Sequence, residues 1–332
     1  MSNAVGIAIS GGPSPSEIVD LVVLAESLGY DSAWVAEGHG GDQFSVLSAC
    51  ALQTSRIRLG TAISSVFVRS APTIAMAAAC VDHFSNGRFV LGVGSSHKVQ
   101  VEPEHGLEFT KPITRLRETV DVVRKLLKDS RVSYQGEVIN IHDFDLWFQP
   151  VRQEIPVYVA AVRPRMLEIT GEIAQGALLT WCTLDHAATA AKHVALGAER
   201  VGKNSSDVEV ATLISCAVSE NLDEARESFR PVIASYAGRF PRYRRLMSEA
   251  GFAGEVAAVR RSWQAGEQEE AIRLVPNGLI DKIGAGGSPD WCRAKLQEYR
   301  DAGISLPIVS PRVEGLGAKE SAMKTIRGCA PR

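Results

Sequence analysis

No apolar run in this 332-residue chain approaches the roughly 20 residues that cross a bilayer, and no basic N-terminal segment leads into one. A membrane partner is therefore not expected, and a cytoplasmic setting is. Close cysteine pairs are missing as well. Cys50, Cys80, Cys182, Cys216, Cys292 and Cys329 lie far apart, without the spacing of zinc ribbons or dithiol redox motifs, so buried reduced thiols and no metal site are expected. Neither sign of charge is in excess: the formal net charge is -2, which removes any global bias towards nucleic acid or other polyanions. Tandem repeats beyond a β-α period, low-complexity tracts and linkers are also lacking. A single domain over residues 1–332 fits, with a core large enough to stand alone. One local stretch departs from neutrality. GRFPRYRRLM (residues 238–247) interleaves Arg239, Arg242, Arg244 and Arg245 with Phe240 and Tyr243, a pattern compatible with an acidic ligand but more ordinary as a solvated helix face.

What the chain does contain is an alternation. Apolar, β-rich runs occur at residues 5–9, 32–36, 57–63, 88–93, 157–161, 176–180, 208–218 and 306–310. Their near-continuous apolarity suits parallel strands covered on both faces. The first intervening helix has a readable start. Ser14 caps, Pro15 takes the first helical position, Glu17 completes a capping box, and Ile18, Leu21, Val22, Ala25 and Leu28 line one face up to Gly29. Residues 114–130 repeat the logic, with Leu116, Val120, Val123 and Leu127 inward. Eight such strands in one chain predict a (β/α)8 TIM barrel with insertions after strands 4 and 7. The first insertion is expected to hold a hairpin turning at Gly136, and in the second the stretch 276–290 breaks a largely helical pattern. Long insertions at barrel loops build substrate pockets or lids.

The segment GRFVLGVGSSH (residues 87–97) poses a choice. A dinucleotide loop needs G-x-G-x-x-G after a first strand and at the start of a helix. Here the third glycine is absent and the motif follows the fourth strand. Two readings remain: a glycine turn leaving a strand, or close backbone approach by a ligand at Gly92, Gly94, Ser95 and Ser96, at the barrel end where active sites gather. Other strand ends add to the second. WVAEGHGGD puts Trp34, Glu37 and His39 near the same rim, an acid and an imidazole able to exchange a proton if burial shifts them. The third strand runs into small and apolar residues from Gly60 to Arg69, a smooth wall suited to a flat cofactor. YVAAVRPRM brings Arg163 and Arg165 to a helix start with Pro164, a ready phosphate site. Trp181 at the sixth strand end either covers a ring system or fills the rim.

Taken together, SAWVAEGHGGD, SRIRLGTAI, RSAPTIAMAAACVDHFSNGRFVLGVGSS, GLEFTKPITRLRETVDVVRKLL and PVYVAAVRPRMLEITGEIAQGALL resemble the bacterial luciferase-like superfamily. Within it, the likeness is to the branch that uses the deazaflavin coenzyme F420 and includes methylenetetrahydromethanopterin reductase. It runs from the first strand to the sixth and resumes at PNGLIDKIGAGGSPDWCRAKLQEYRDAGISLPIVSP. The resemblance implies a ring held at the C-terminal mouth of the barrel. It also implies a bulge after the third strand with a non-proline cis peptide at Ala62-Ile63, next to Ser64. It places the ring near Val93, Ala160, Ala161 and Trp181, and the phosphate near Gly94, Ser95, Arg163, Pro164 and Arg165. The acidic tail would reach Arg165 or the cluster at Arg242 to Arg245. Two departures stand out: relatives carry an acid followed directly by histidine where this chain reads Glu37-Gly38-His39, and a Gly-Pro pair where it has His97 and Lys98.

The implied activity is hydride transfer between coenzyme F420 and an electrophilic C=C, C=N or C=O group of a small organic substrate, in a homodimeric enzyme. A cofactor that carries the hard chemistry leaves the protein to stack, align, exclude water and handle one proton, which suits a chain without a nucleophilic triad. Glu37 and then His39 are the candidates for that proton. Rival expectations are an FMN-dependent monooxygenase using reduced flavin and oxygen, and a carrier that binds deazaflavin without turnover. A barrel enzyme acting on a phosphorylated substrate is the fallback.

Overall fold

The computed structural model describes residues 3–313 and 317–332. The eight expected strands form: β1 (Gly6–Ile9), β2 (Ser32–Val35), β3 (Arg58–Thr61), β5 (Phe89–Gly94), β8 (Val157–Ala160), β9 (Gly176–Thr180), β10 (Glu209–Val218) and β12 (Leu306–Pro311). All pair in parallel in the order β12-β1-β2-β3-β5-β8-β9-β10, and β10 pairs again with β12, which closes the ring. The protein is a (β/α)8 barrel. Helices α1 (Pro15–Ser27), α2 (Gln43–Gln53) and α3 (Ala71–Phe84) follow the first three barrel strands. After β5 come α4 (Lys98–His105), α5 (Pro112–Asp129) and the antiparallel hairpin β6 (Arg131–Gln135) and β7 (Asn140–Asp145). Helices α6 (Pro164–Ile173) and α7 (Leu184–Arg200) follow β8 and β9. The second insertion, between β10 and β12, holds α8 (Leu222–Glu227), α9 (Arg230–Arg239), α10 (Pro241–Met247), α11 (Ala253–Gln264), α12 (Gln268–Arg273) and α13 (Asn277–Ile283). It then continues through β11 (Gly284–Gly287) to α14 (Pro289–Asp301), and α15 (Ala318–Gly328) follows β12.

Local signals act as expected. The Glu17 carboxylate accepts from the Ser14 backbone N–H at 2.8 Å, Ile18, Leu21, Val22 and Ala25 are buried, and Gly29 leaves the helix at φ +83°. In α5 the four inward residues Leu116, Val120, Val123 and Leu127 are buried. The hairpin turn is held from below by Glu118, whose carboxylate accepts from the N–H groups of Glu137, Val138 and Ile139 at 2.6, 3.1 and 2.8 Å. A Cβ on Gly136 would lie 2.5 Å from that carboxyl group, so only glycine fits there.

Two expectations are corrected. The tract GAGG, read as a break, is the strand β11. It lies along β10 from Ser215 to Val218, beyond Leu213, where β9 stops at Thr180. The other concerns Trp34, expected at the rim. Its indole is 1 % exposed inside the barrel, where it packs with Ala8, Val90, Tyr158, Leu178, Ala211, Leu306 and Ile308. Trp34 and Tyr158 have ring centroids 5.4 Å apart, the indole N–H donates to Ser32 Oγ at 2.9 Å, and the Tyr158 hydroxyl donates to Glu209 at 2.6 Å. These two aromatics plug the barrel because glycines stand opposite them. A Cβ on Gly60 would lie 2.4 Å from the Trp34 ring, and one on Gly176 would lie 2.4 Å from Tyr158.

Around this plug, a second layer of side chains between strands and helices forms the main core, and α8 to α13 add their own cluster over Phe229, Ile233, Met247 and Leu279. The cysteines are free, and all but the half-buried Cys80 are buried. Among the described residues, no helix is long and apolar enough to cross a membrane.

Gly60→Ala is expected to destabilise the fold by about 1–3 kcal/mol, because the indole cannot retreat from a filled barrel. Gly38→Ala, where a Cβ meets nothing within 4 Å, is expected to change little. Urea denaturation of the two variants checks the contrast.

Candidate active site

The C-terminal mouth of the barrel is shaped by one irregularity. Gly60 of β3 is paired with Val90 of β5, and the next pairing is Ser64 of β4 (Ser64–Ser65) with Val93. Four steps on one side oppose three on the other, which makes a bulge, and the Ala62-Ile63 peptide within it is cis. Thr61 bridges the gap with its side chain, donating to the Gly92 carbonyl at 2.7 Å and accepting from the Gly92 N–H at 2.9 Å. The strands come so close here that a Cβ on residue 92 would lie 1.8 Å from the Thr61 carbonyl oxygen.

The bulge pushes Ile63 towards the neighbouring strands. A Cβ on Gly94 would lie 3.0 Å from the Ile63 side chain and 3.1 Å from the Ala160 Cβ, so Ile63, Gly94 and Ala160 converge on one spot. Ala62, Ile63 and Ala160 keep partial exposure there, while Val93, Ser95 and Ala161 are buried around them. Ser64 is fully buried, and its hydroxyl has no partner among the described residues.

Glu37 is tied to this bulge. One carboxylate oxygen accepts from the Ser65 N–H at 2.8 Å, and the other accepts from Arg69 Nε at 2.6 Å. Arg69 also pairs with Asp42, the residue that caps α2. Glu37 thus links the end of β2 to the segment after the cis peptide. His39 lies elsewhere, 83 % exposed and 3.4 Å from Glu104. The two candidate proton carriers are therefore not brought together, and neither presents an unengaged group to the floor.

A group with fewer commitments is His97. Its ring is wedged between Phe240 and Tyr243 of the second insertion, with centroids 5.0 and 5.1 Å away, and no hydrogen-bond partner holds it among the described residues. Burial, with the Arg242 guanidinium adding repulsion, pushes its pKa down to about 4, so the imidazole is neutral at physiological pH. The ring cluster continues through Tyr236, which lies 4.8 Å from both Phe240 and Trp181. Trp181 has φ +54°, is buried, and faces the Arg312 guanidinium, so α9 covers it and it forms a wall of the mouth. A partial sequence signal existed, since Tyr236, Phe240 and Tyr243 have the i, i+4, i+7 spacing of a helix face, although the structure breaks the helix at Phe240 and sets the rings on α9, the junction and α10.

The basic stretch is not a bare cationic surface. Arg239 pairs with Glu104 at 2.9 Å, Arg245 with Glu249 at 2.8 Å, and Arg244 donates to the Ala237 carbonyl at 3.0 Å. Arg163, at the N-cap position of α6, meets the same stretch through Glu249 at 2.8 Å, Pro164 takes the first helical position, and Arg165 is exposed.

A (β/α)8 barrel with a bulged third strand under a helical insertion defines a known class, and the chain belongs to it: residues 1–306 match the luciferase-like monooxygenase family. It is a luciferase-like oxidoreductase. The chain is 29 % identical over 296 residues to 5,10-methylenetetrahydromethanopterin reductase of Archaeoglobus fulgidus, covering 88 % of each chain. The structure of coenzyme F420-dependent tetrahydromethanopterin reductase from Methanopyrus kandleri superposes with a TM-score of 0.87 at 25 % identity, over 98 % of this chain and 97 % of that one. More distantly, the oxygenating constituent of 3,6-diketocamphane monooxygenase from the CAM plasmid of Pseudomonas putida, in complex with FMN, shares the fold. Its TM-score is 0.72 at 16 % identity, over 100 % of this chain and 99 % of that one.

Two outcomes are expected. Glu37→Ala leaves the Ser65 N–H and Arg69 without their carboxylate and should cost about 1–3 kcal/mol of stability, read by urea unfolding. For His97, the unfolded chain takes up a proton near pH 6.5 that the folded chain refuses until about pH 4. Stability should therefore fall as pH drops through that window, by on the order of 2–3 kcal/mol, and His97→Gln should abolish that component.

Proposed function

We propose that the protein is an oxidoreductase that transfers a hydride between coenzyme F420 and a small organic substrate. The observation that carries this reading is the convergence of Ile63, Gly94 and Ala160 on a shallow apolar floor at the bulge. The relatives' dependence on coenzyme F420 supports it.

The residues present fit a planar ring with a polar edge and an anionic arm. Glycine at 94 lets Ile63 and Ala160 form the floor with no side chain between them, Ser64 next to Ile63 has a buried hydroxyl without a partner among the described residues, and Arg163 and Arg165 stand at the start of α6. When bound, the deazaflavin supplies a carbon that donates or accepts a hydride. The protein's own part is alignment. Ile63 and Ala160 support one face, Val93 and Ser95 line the glycine strand, and Ala161 and Pro164 lead from the floor to the arginines. Trp181 and the rings of Tyr236 and Tyr243 keep water from one side.

Glu37 holds the bulge through Ser65 and Arg69. The neutral imidazole of His97, at the end of the glycine loop, takes over from Glu37 and His39 as first candidate to hydrogen-bond a substrate heteroatom. Ala62, Ile63 and Ala160 keep partial exposure at the floor, as either an enzyme or a carrier of deazaflavin requires, and turnover of reduced F420 separates the two.

Fluorescence titration of the apo-protein with coenzyme F420 and with FMN tests the reading. Selective binding of F420 is expected, with Gly94→Val weakening it about tenfold or more by filling the floor. Tight FMN binding without a response to F420 would overturn the proposal. Oxidation of reduced F420 against a panel of unsaturated metabolites then identifies the substrate.

A further inference from the structure

At the start of α6 the Arg163 guanidinium is already held by a carboxylate from the second insertion. Its Nη1 donates to one oxygen of Glu249 at 2.8 Å, and the other Glu249 oxygen accepts from Arg245 Nε at 2.8 Å. The two arginines hold the Glu249 carboxyl below the usual carboxylate range, so it stays anionic. Glu249 lies in the segment Ser248–Phe252 between α10 and α11, where Gly251 has φ +99° and the helical path bends two residues past the carboxylate. Below Arg163, His186 meets the Val162 carbonyl through Nε2 at 3.0 Å, which fixes the loop that presents the guanidinium. The other ring nitrogen of His186 is buried without a partner among the described residues. The surroundings accommodate one anion, and at present a residue of the chain provides it.

We propose that Glu249 is a specificity-determining residue, a resident anion that a phosphate-bearing or carboxylate-bearing arm of the bound ligand displaces from Arg163 and Arg245. The proposal rests on the cofactor assignment above, and it adds what that assignment lacks: the site is guarded. Carboxylate and phosphate accept from guanidinium groups with the same geometry, so exchange replaces one set of charge-assisted hydrogen bonds by another. The three side chains are 32 to 66 % exposed, where such pairs are individually weak and easily exchanged. A neutral arm cannot displace the carboxylate, and a multiply charged arm can. Glu249 thereby discriminates against ligands that share the flat ring but lack the charge.

The test is fluorescence titration with two probes, coenzyme F420 and its deazaflavin nucleoside fragment, which lacks phosphate and the acidic tail. Glu249→Gln is expected to bind F420 about three- to tenfold tighter and the nucleoside unchanged, while Arg163→Gln binds F420 about tenfold weaker. Glu137→Gln, which removes an equal charge at the exposed Lys111 pair on the hairpin, is expected to match the parent with both probes. Circular dichroism and melting confirm that the variants are folded. Equal or weaker F420 binding by Glu249→Gln, or an equal gain with the nucleoside or in Glu137→Gln, would overturn the displacement alone. Failure of the parent protein to bind F420 would overturn it together with the cofactor assignment.

Discussion

The Thr61 carbonyl oxygen lies where a β-carbon of residue 92 would have to be. Much of the mouth depends on that approach. It requires glycine at 92 and lets the Thr61 hydroxyl replace the backbone ladder by bonding both polar groups of Gly92. It also leaves the chain one residue too long before β4 resumes pairing. The surplus projects Ile63 over Gly94 and Ala160. Glu37 then locks the return by accepting from Ser65 and Arg69, so the acid nearest the site serves as a brace. One floor below, the same economy of side chains operates in reverse: Gly60 and Gly176 yield space to Trp34 and Tyr158, which close the barrel.

The barrel was largely legible. Parallel strands buried on both faces are apolar throughout, and every one of the eight stood out as such a run. Capping chemistry at Ser14, Pro15 and Glu17 and the inward stripe of α5 were equally readable, because both are local. The strand β11 was not, since Gly284 to Gly287 have none of the β-branched bulk that marks a strand. Those glycines pair only because β10 runs past the end of β9 and offers an unpaired edge, and Phe229 lies against the small residues. Trp34 was misplaced because near-continuous apolarity hides which residues point inward and which outward.

At the site, residue types were legible and their commitments were not. Glu37 and His39 are close in sequence, yet one is bound by Arg69, thirty-two positions away, and the other faces solvent beside Glu104. The cis peptide at Ala62-Ile63 came from family likeness, and its position agrees with the structure. His97 was visible as an oddity in the glycine loop. Its neutral state depends on the rings of Phe240 and Tyr243 and on the cation of Arg242, all contributed by α10 and the residue before it, more than 140 residues further along.

The ten-residue strand β10 has a mechanical consequence. Its first half belongs to the barrel through β9, and its second half carries β11, so the helical cap is stitched to the rim by a continuous ladder. A cap joined in this way is held to the rim at both of its ends, where the chain leaves β10 and where it returns through β11. Any shift of the short helices α8 to α13 is then a shift relative to that seam, which serves as a fixed jamb beside the basin.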